Sequence, residues 1–274
     1  MSLAVAGLLT AALAGCGSTG DEAASSGGET GTTPGTGEQG ASSALTQATF
    51  VERVGAAQES VTTMHMEASY SGALAETLGL SGMTTPVDVD MSDPEAPRMA
   101  MSMDVDGMKL SMILVDQTYY MSMGELTEGK YVKSSEEELM GDSMMGSFQS
   151  MTGSVDPKAQ LDGYKDAIVS FEASGSDVIA GTDVDLYTLV LDPAKVTGPQ
   201  AAQLDPELMA ELGELGEMTV VYALDDTDRA HRAEVTMTLD GQELVSTSEF
   251  SRWGEDLGIE APPADQILED ESLM

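Results

Sequence analysis

The run 98–123, RMAMSMDVDGMKLSMILVDQTYYMSM, decides the fold. Apolar and polar residues alternate on both sides of Asp106-Gly107, a dipeptide suited to the two positive-φ positions of a type I′ hairpin turn. A two-residue turn there sets Val105 opposite Met108, Met103 opposite Leu110, Met101 opposite Met112, and Met99 opposite Leu114. A second turn at Asp116-Gln117 sets Leu114 opposite Tyr119, Met112 opposite Met121, and Leu110 opposite Met123. The two registers agree. Three strands therefore share one Met/Leu face, while Ala100, Ser102, Asp104, Lys109 and Ser111 face the other way.

The same period extends outward. It marks 63–70 (TMHMEASY) and 87–91, a strand near 130–133, then 176–180 and 184–191. It returns in 217–224, 230–239 and 242–250, the last two joined at Asp240-Gly241. A helix is expected to open the domain: Thr49 and Glu52 have capping-box spacing, and Phe50, Val54, Ala57 and Val61 recur at helical intervals. Residues 135–172, with Asp156-Pro157 among them, lose the alternation and suit two helices. Asp192-Pro193 and Asp205-Pro206 each read as a helix entry. The expected fold class is α+β, with about ten antiparallel strands in one curved sheet.

Composition limits what such a sheet can do. The 274 residues carry 11 Lys and Arg against 48 Asp and Glu, a net charge of −37, which repels nucleic acid and anionic membrane surfaces. The acids are spread along the domain, as in a solvated surface. Aromatics make up only 4% while methionine contributes 20 residues, so a core built from them is soft and adaptable. Cys16 is the only cysteine, and no internal disulfide can form.

That cysteine has a specific setting. Residues 3–13 are an apolar run too short to span a bilayer, which needs about twenty residues, but of the size of a secretory signal core, although no Lys or Arg precedes it. Leu13-Ala14-Gly15-Cys16 follows, matching the lipobox of bacterial lipoproteins. There the thiol takes a diacylglyceryl group and the small Ala14 and Gly15 let a peptidase cut before Cys16; two acyl chains anchor where one binds only marginally. Residues 17–43 are Gly, Ser, Thr and acid, cannot bury a core, and read as a disordered tether with a reach on the order of 30 Å. The expected organisation is a signal peptide over 1–15, a lipidated Cys16 and tether over 16–44, and one folded domain over 45–274, held at the extracytoplasmic face of the cell membrane.

Catalytic patterns are missing from the chain. It has no G-x-S-x-G elbow and no phosphate-cradling G-x-x-x-x-G-K. His65 and His231 sit at strand positions with polar neighbours and read as solvent-facing; Asp88/Asp90, Asp183/Asp185 and Asp225/Asp226/Asp228 follow strand alternation or fill turns. No enzyme activity and no cofactor are expected. Thioethers favour Cu(I), so Met64-His65-Met66 and Met99-Ala100-Met101-Ser102-Met103 raise a copper reading. Against it, His65 points away from Met64 and Met66, and Val105, Leu110 and Leu114 interleave with the methionines. Two readings of the Met/Leu face remain open: a core filled by side chains, as in a structural or interaction lipoprotein, or a cavity lined for acyl chains. The candidate lining is Met99, Met101, Met103, Val105, Met108, Leu110, Met112, Leu114, Met121 and Met123.

The chain resembles the actinobacterial lipoproteins of the LppX/LprG type, which are akin to the LolA carrier. The resemblance covers about residues 45–270. It rests on the lipobox, the opening helix, the 98–123 run leading to Gly129-Lys130-Tyr131-Val132, the Gly181…Tyr187…Leu191-Asp192 segment and the closing strands ending at Trp253-Gly254. It implies a half-barrel sheet, with helices covering its concave face around an apolar cavity, that binds acylated lipid or glycolipid and carries it across the envelope. The partners it implies are the membrane through the Cys16 anchor, the acylated ligand and an export transporter, with a monomeric protein and no nucleic acid.

Overall fold

The computed structural model describes residues 45–93, 95–105, 107–135, 161, 163–197, 216–239 and 241–268. Helix α1 (Gln47–Glu59) leads into β1 (Thr63–Ser71), a short helix α2 (Ala73–Leu78), β2 (Thr84–Asp90), β3 (Arg98–Val105), β4 (Met108–Val115), β5 (Thr118–Ser122) and β6 (Val132–Ser135). After these come β7 (Ile168–Ile179), β8 (Thr182–Leu191), β9 (Met218–Leu224), β10 (Ala230–Leu239) and β11 (Gln242–Ser251). All eleven strands form one sheet in the order β6-β5-β4-β3-β2-β1-β11-β10-β9-β8-β7, and every pair is antiparallel. β6 and β7 do not pair, so the sheet is open. It curls around its apolar face, where one buried cluster runs from Met112 and Tyr119 on one side to Tyr187 and Leu189 on the other. The fold is α+β.

The central registers agree with the sequence. Met99, Met101, Met103 and Val105 oppose Leu114, Met112, Leu110 and Met108, and Met112 and Leu114 oppose Met121 and Tyr119. Asp116 and Gln117 have φ of 51° and 58°, the type I′ pair that a two-residue turn needs. Asp106 lies outside the described residues, and its turn partner Gly107 has φ 83°. The expected pairing of Leu110 with Met123 fails, because β5 stops at Ser122. Met123 instead starts a 3-10 turn, Gly124–Thr127, held where the Thr127 hydroxyl accepts from the Met123 N–H at 3.0 Å.

Other expectations shift by a few residues, each for a local reason. The cap of α1 is Thr46, whose backbone N–H donates to Thr49 Oγ1 at 3.0 Å, so the cap lies three residues ahead of the expected Thr49–Glu52 pair. β6 runs from Val132 to Ser135 rather than 130–133. β7 begins at Ile168, inside the stretch expected to be helical; most of its residues are exposed on both faces, so no alternation announces it. Leu161, Gly163 and Tyr164 are helical, whereas Asp156-Pro157 and Asp205-Pro206 lie outside the described residues. Asp192-Pro193 opens only a three-residue 3-10 turn, Pro193–Lys195.

Beyond β11 the chain crosses to the far edge of the sheet. Gly254 N–H donates to Thr63 O, and further on Tyr131 beside β6 accepts from Leu268 N–H and donates to Gln266 O, each at 2.8 Å. Tyr131 and Ile267 form a parallel bridge there. The opposite edge strand, β7, carries two register shifts, at Ile168/Ser170 and Ala173/Gly175.

Candidate functional site

Because side chains alternate along a strand, cross-strand partners line up into rows on one face. Phe250, Met66, Val87, Met101, Met112, Met121 and Val132 make one such row across seven strands. Met64, Val89, Met99, Leu114 and Tyr119 make the next. The apolar face expected from three strands thus extends over most of the sheet.

The candidate lining residues sort by depth. Met101, Met112 and Leu114 are buried within the core cluster. Met99, Met103 and Met121 are half-buried against it, and Leu110 and Met123 are also half-buried. Along β4 the face opens steadily toward the β3–β4 turn: Met112 is 4% exposed, Leu110 intermediate and Met108 39%. Val105 pairs with Met108 at that turn. The residues of the set on β3, β4 and β5 therefore share one face, closed around Met112 and open toward Met108, and Met123 leaves it with the 3-10 turn.

Sequence reading missed the centre of the sheet. Tyr222, Ala233, Ser248, Ala68 and Thr85 form a row of mostly small side chains, all buried. It lies between the Phe250–Met66 row and the row Val220, Val235, Ser246, Tyr70. Ser246 is 1% exposed, and its hydroxyl is buried with no hydrogen-bond partner among the described residues. A polar group in that position is costly unless something satisfies it.

Helix α1 covers the other half of the face. Phe50, 1% exposed, packs its ring 5.3 Å from Phe171, 5.3 Å from Tyr222 and 6.5 Å from Tyr187. Burial raises the Tyr187 and Tyr222 phenols above their ordinary values, with the Asp185 charge adding to the former and Tyr164 to the latter, so both stay neutral. Arg53 fixes the helix from outside with a bidentate pair, Nε to Asp228 Oδ2 and Nη2 to Asp228 Oδ1, both 2.8 Å.

His231 is buried, which corrects the solvent-facing reading. A register shift between Ala230 and Arg232 inserts it as an extra residue, so that Ala230 and His231 are both buried. Its Nε2 lies 3.2 Å from Asp225 Oδ2, and its ring packs 4.5 Å from Trp253, over which the Arg229 guanidinium sits at 5.6 Å. Asp225 is likewise no solvated turn residue. Its carboxylate accepts from Thr227 Oγ1 at 2.6 Å, from the Thr227 and Arg229 N–H groups, and from the Arg229 side chain. Burial pushes this carboxyl up, but the hydrogen bonds from Thr227, Arg229 and His231 outweigh it and hold it below the usual carboxylate value.

His65 projects from the opposite side of β1 to the buried Met64 and Met66, and its Nδ1 pairs with Asp88 Oδ1 at 2.7 Å. Among the described residues no group of three or more His, Cys, Asp or Glu could hold a metal, and no helix is long and apolar enough to cross a membrane. Leu13, Ala14, Gly15 and Cys16 lie outside the described residues.

No protein family and no curated protein matches the chain. Among solved structures it is similar to LprF from Mycobacterium bovis, with a TM-score of 0.49 and 16% identity over 80% of this chain and 97% of that one. It is also similar to the Mycobacterium tuberculosis lipoprotein LppX, at 0.48 and 17% over 78% and 98%. A LolA superfamily protein from Nitrosomonas europaea is more distant, at 0.26 and 11% over 80% and 96%. The chain is an open, single-sheet α+β protein with LprF and the lipoprotein LppX among its structural neighbours.

Proposed function

We propose that this chain is an extracytoplasmic lipoprotein that holds the acyl chains of a lipid or glycolipid against the apolar face of its sheet and carries them through the envelope. The observation that carries the reading is the exposure gradient along a face continuous over seven strands, from Met112 at 4% to Met108 at 39%. A face that only filled a core would have no reason to stay apolar as it opens. Methionine side chains adapt to apolar ligands of varied shape. The anchor is the diacylglyceryl group on Cys16 within Leu13-Ala14-Gly15-Cys16.

The burial of Met101, Met112 and Leu114 favours a second reading, a core filled by its own side chains. Native mass spectrometry of the full chain carrying Cys16→Ser, purified from its own host, separates the two. Lipid adducts support the carrier, a bare chain supports the filled core, and a mass shift only with Cu(I) would overturn both. Fatty-acid labelling of the wild type that persists in Cys16→Ser would refute the anchor.

A further inference from the structure

Six large apolar side chains are exposed among the described residues: Leu78, Met108, Leu126, Val169, Val178 and Leu239. The register places five of them at one rim of the sheet. Met108 starts β4 at the β3–β4 turn, and Leu126 sits in the 3-10 turn beside it, where Gly124 approaches Lys109 O closely enough that a Cβ would lie 3.0 Å away. Leu239 ends β10 opposite Gln242, whose side chain meets Thr77 of α2 at 3.2 Å, next to Leu78. Val169 follows Ile168, which pairs with Leu191 at the same end of β7 and β8. Val178 lies at the opposite rim, next to the turn at Ala180 and Gly181.

Helix α1 starts at the five-residue rim. Gln47 opens α1 and donates to Ile168 O at 3.5 Å, one residue from Val169. From there α1 runs toward the far rim, where Arg53 meets Asp228 in the β9–β10 turn. The open end of the Met/Leu face, marked by Met108, lies at this rim as well. Exposed apolar side chains at the open end of an apolar face, on the side where α1 starts, fit one surface: the bilayer that the proposed anchor would enter.

We infer that this rim docks on the lipid bilayer, pressing Met108, Leu126, Leu78, Leu239 and Val169 into the interface so that the open end of the apolar face meets the acyl chains. The inference rests on the proposed function. The contact is apolar rather than electrostatic: with a net charge of −37 the protein favours zwitterionic over anionic surfaces.

The test uses the full chain with Cys16→Ser, which has no other cysteine, and one introduced thiol at a time: Leu126→Cys, Leu239→Cys or Val178→Cys. Each is labelled with an environment-sensitive fluorophore and mixed with phosphatidylcholine vesicles containing brominated acyl chains. Emission at positions 126 and 239 should shift blue and be quenched, with position 178 unchanged, and Met108→Glu should weaken vesicle partitioning about tenfold. Replacing phosphatidylcholine with phosphatidylglycerol should reduce the quenching. Equal quenching at all three positions, quenching at 178 alone, or none at any position would overturn the docking rim. Lipid adducts in the mass spectrum without rim quenching sink this inference alone, whereas rim quenching on a protein without adducts sinks only the carrier.

Discussion

Met112 and Met103 lie on the same face of neighbouring strands, yet they should respond oppositely to substitution. Met112 is 4% exposed and stands between Met101 and Met121 in a closed row. Shrinking it to alanine removes packed atoms and leaves a cavity, which costs about 2–5 kcal/mol. For a domain of this size each kcal/mol lowers Tm by about 2–4 °C, so Met112→Ala should melt roughly 4–20 °C lower. Met103 is half-buried one row nearer the open rim, opposite the half-buried Leu110. A larger side chain there enters ligand space rather than a dense core, so Met103→Trp should change stability by less than about 0.5 kcal/mol, as for an unconstrained site. It should nevertheless abolish lipid adducts. Thermal melting by circular dichroism and native mass spectrometry on the same samples provide both readouts. If Met103→Trp costs the ~1–3 kcal/mol of overpacking and the adducts persist, the row is filled core along its whole length and the carrier loses its main support.

Three further outcomes follow from the same structure. Phe50→Ala removes the ring at the centre of the Phe171, Tyr187 and Tyr222 cluster and should cost about 3–5 kcal/mol, lowering Tm by roughly 6–20 °C; a loss under ~1 kcal/mol would mean that α1 is not clamped to the sheet. Asp225 has a lowered folded-state pKa, so its stabilisation is present above the ordinary carboxylate value and fades as pH falls through the folded one. Asp225→Asn should therefore melt lower than wild type at neutral pH and depend less on pH between about 5 and 3, and parallel melting curves would contradict this. Gly72 has φ 96° and an added Cβ would lie 2.4 Å from Glu243 O, whereas Gly79 at φ 72° has nothing within 4 Å. Urea titration should show Gly72→Ala losing about 1–3 kcal/mol and Gly79→Ala distinctly less; equal losses would remove the close approach as the cause.

The sheet was legible in the sequence wherever one face was buried and turns were tight, because a one-residue slip there would expose every methionine. That is why six of the seven expected cross-strand pairs, from Val105–Met108 to Met112–Met121, read correctly. Helix α2 was not legible: six residues between Gly72 and Gly79 are too few to establish a helical period. The start of β7 was hidden because an edge strand exposed on both faces has no alternation to read. His231 misled because a bulge shifts the phase of everything before it, and neither of its packing partners, Asp225 and Trp253, is flagged by local pattern. The row of small side chains through Ala233, Ser248 and Ala68 needs strands distant in sequence to be brought side by side, and only the order of the sheet supplies that.

An open sheet has two edges, and each is a template on which foreign strands can polymerise. Beside β6, Tyr131 spends its N–H and carbonyl on Gln266 and Leu268, so a later segment of the same chain already pairs next to that edge. On β7 the bulges at Ile168/Ser170 and Ala173/Gly175 leave no regular run longer than Gly175–Ile179, five residues. Cross-β stacking needs segments of about six or seven. A sheet that presents apolar side chains is thereby guarded against fibril growth by a paired residue beside one edge and by broken register along the other.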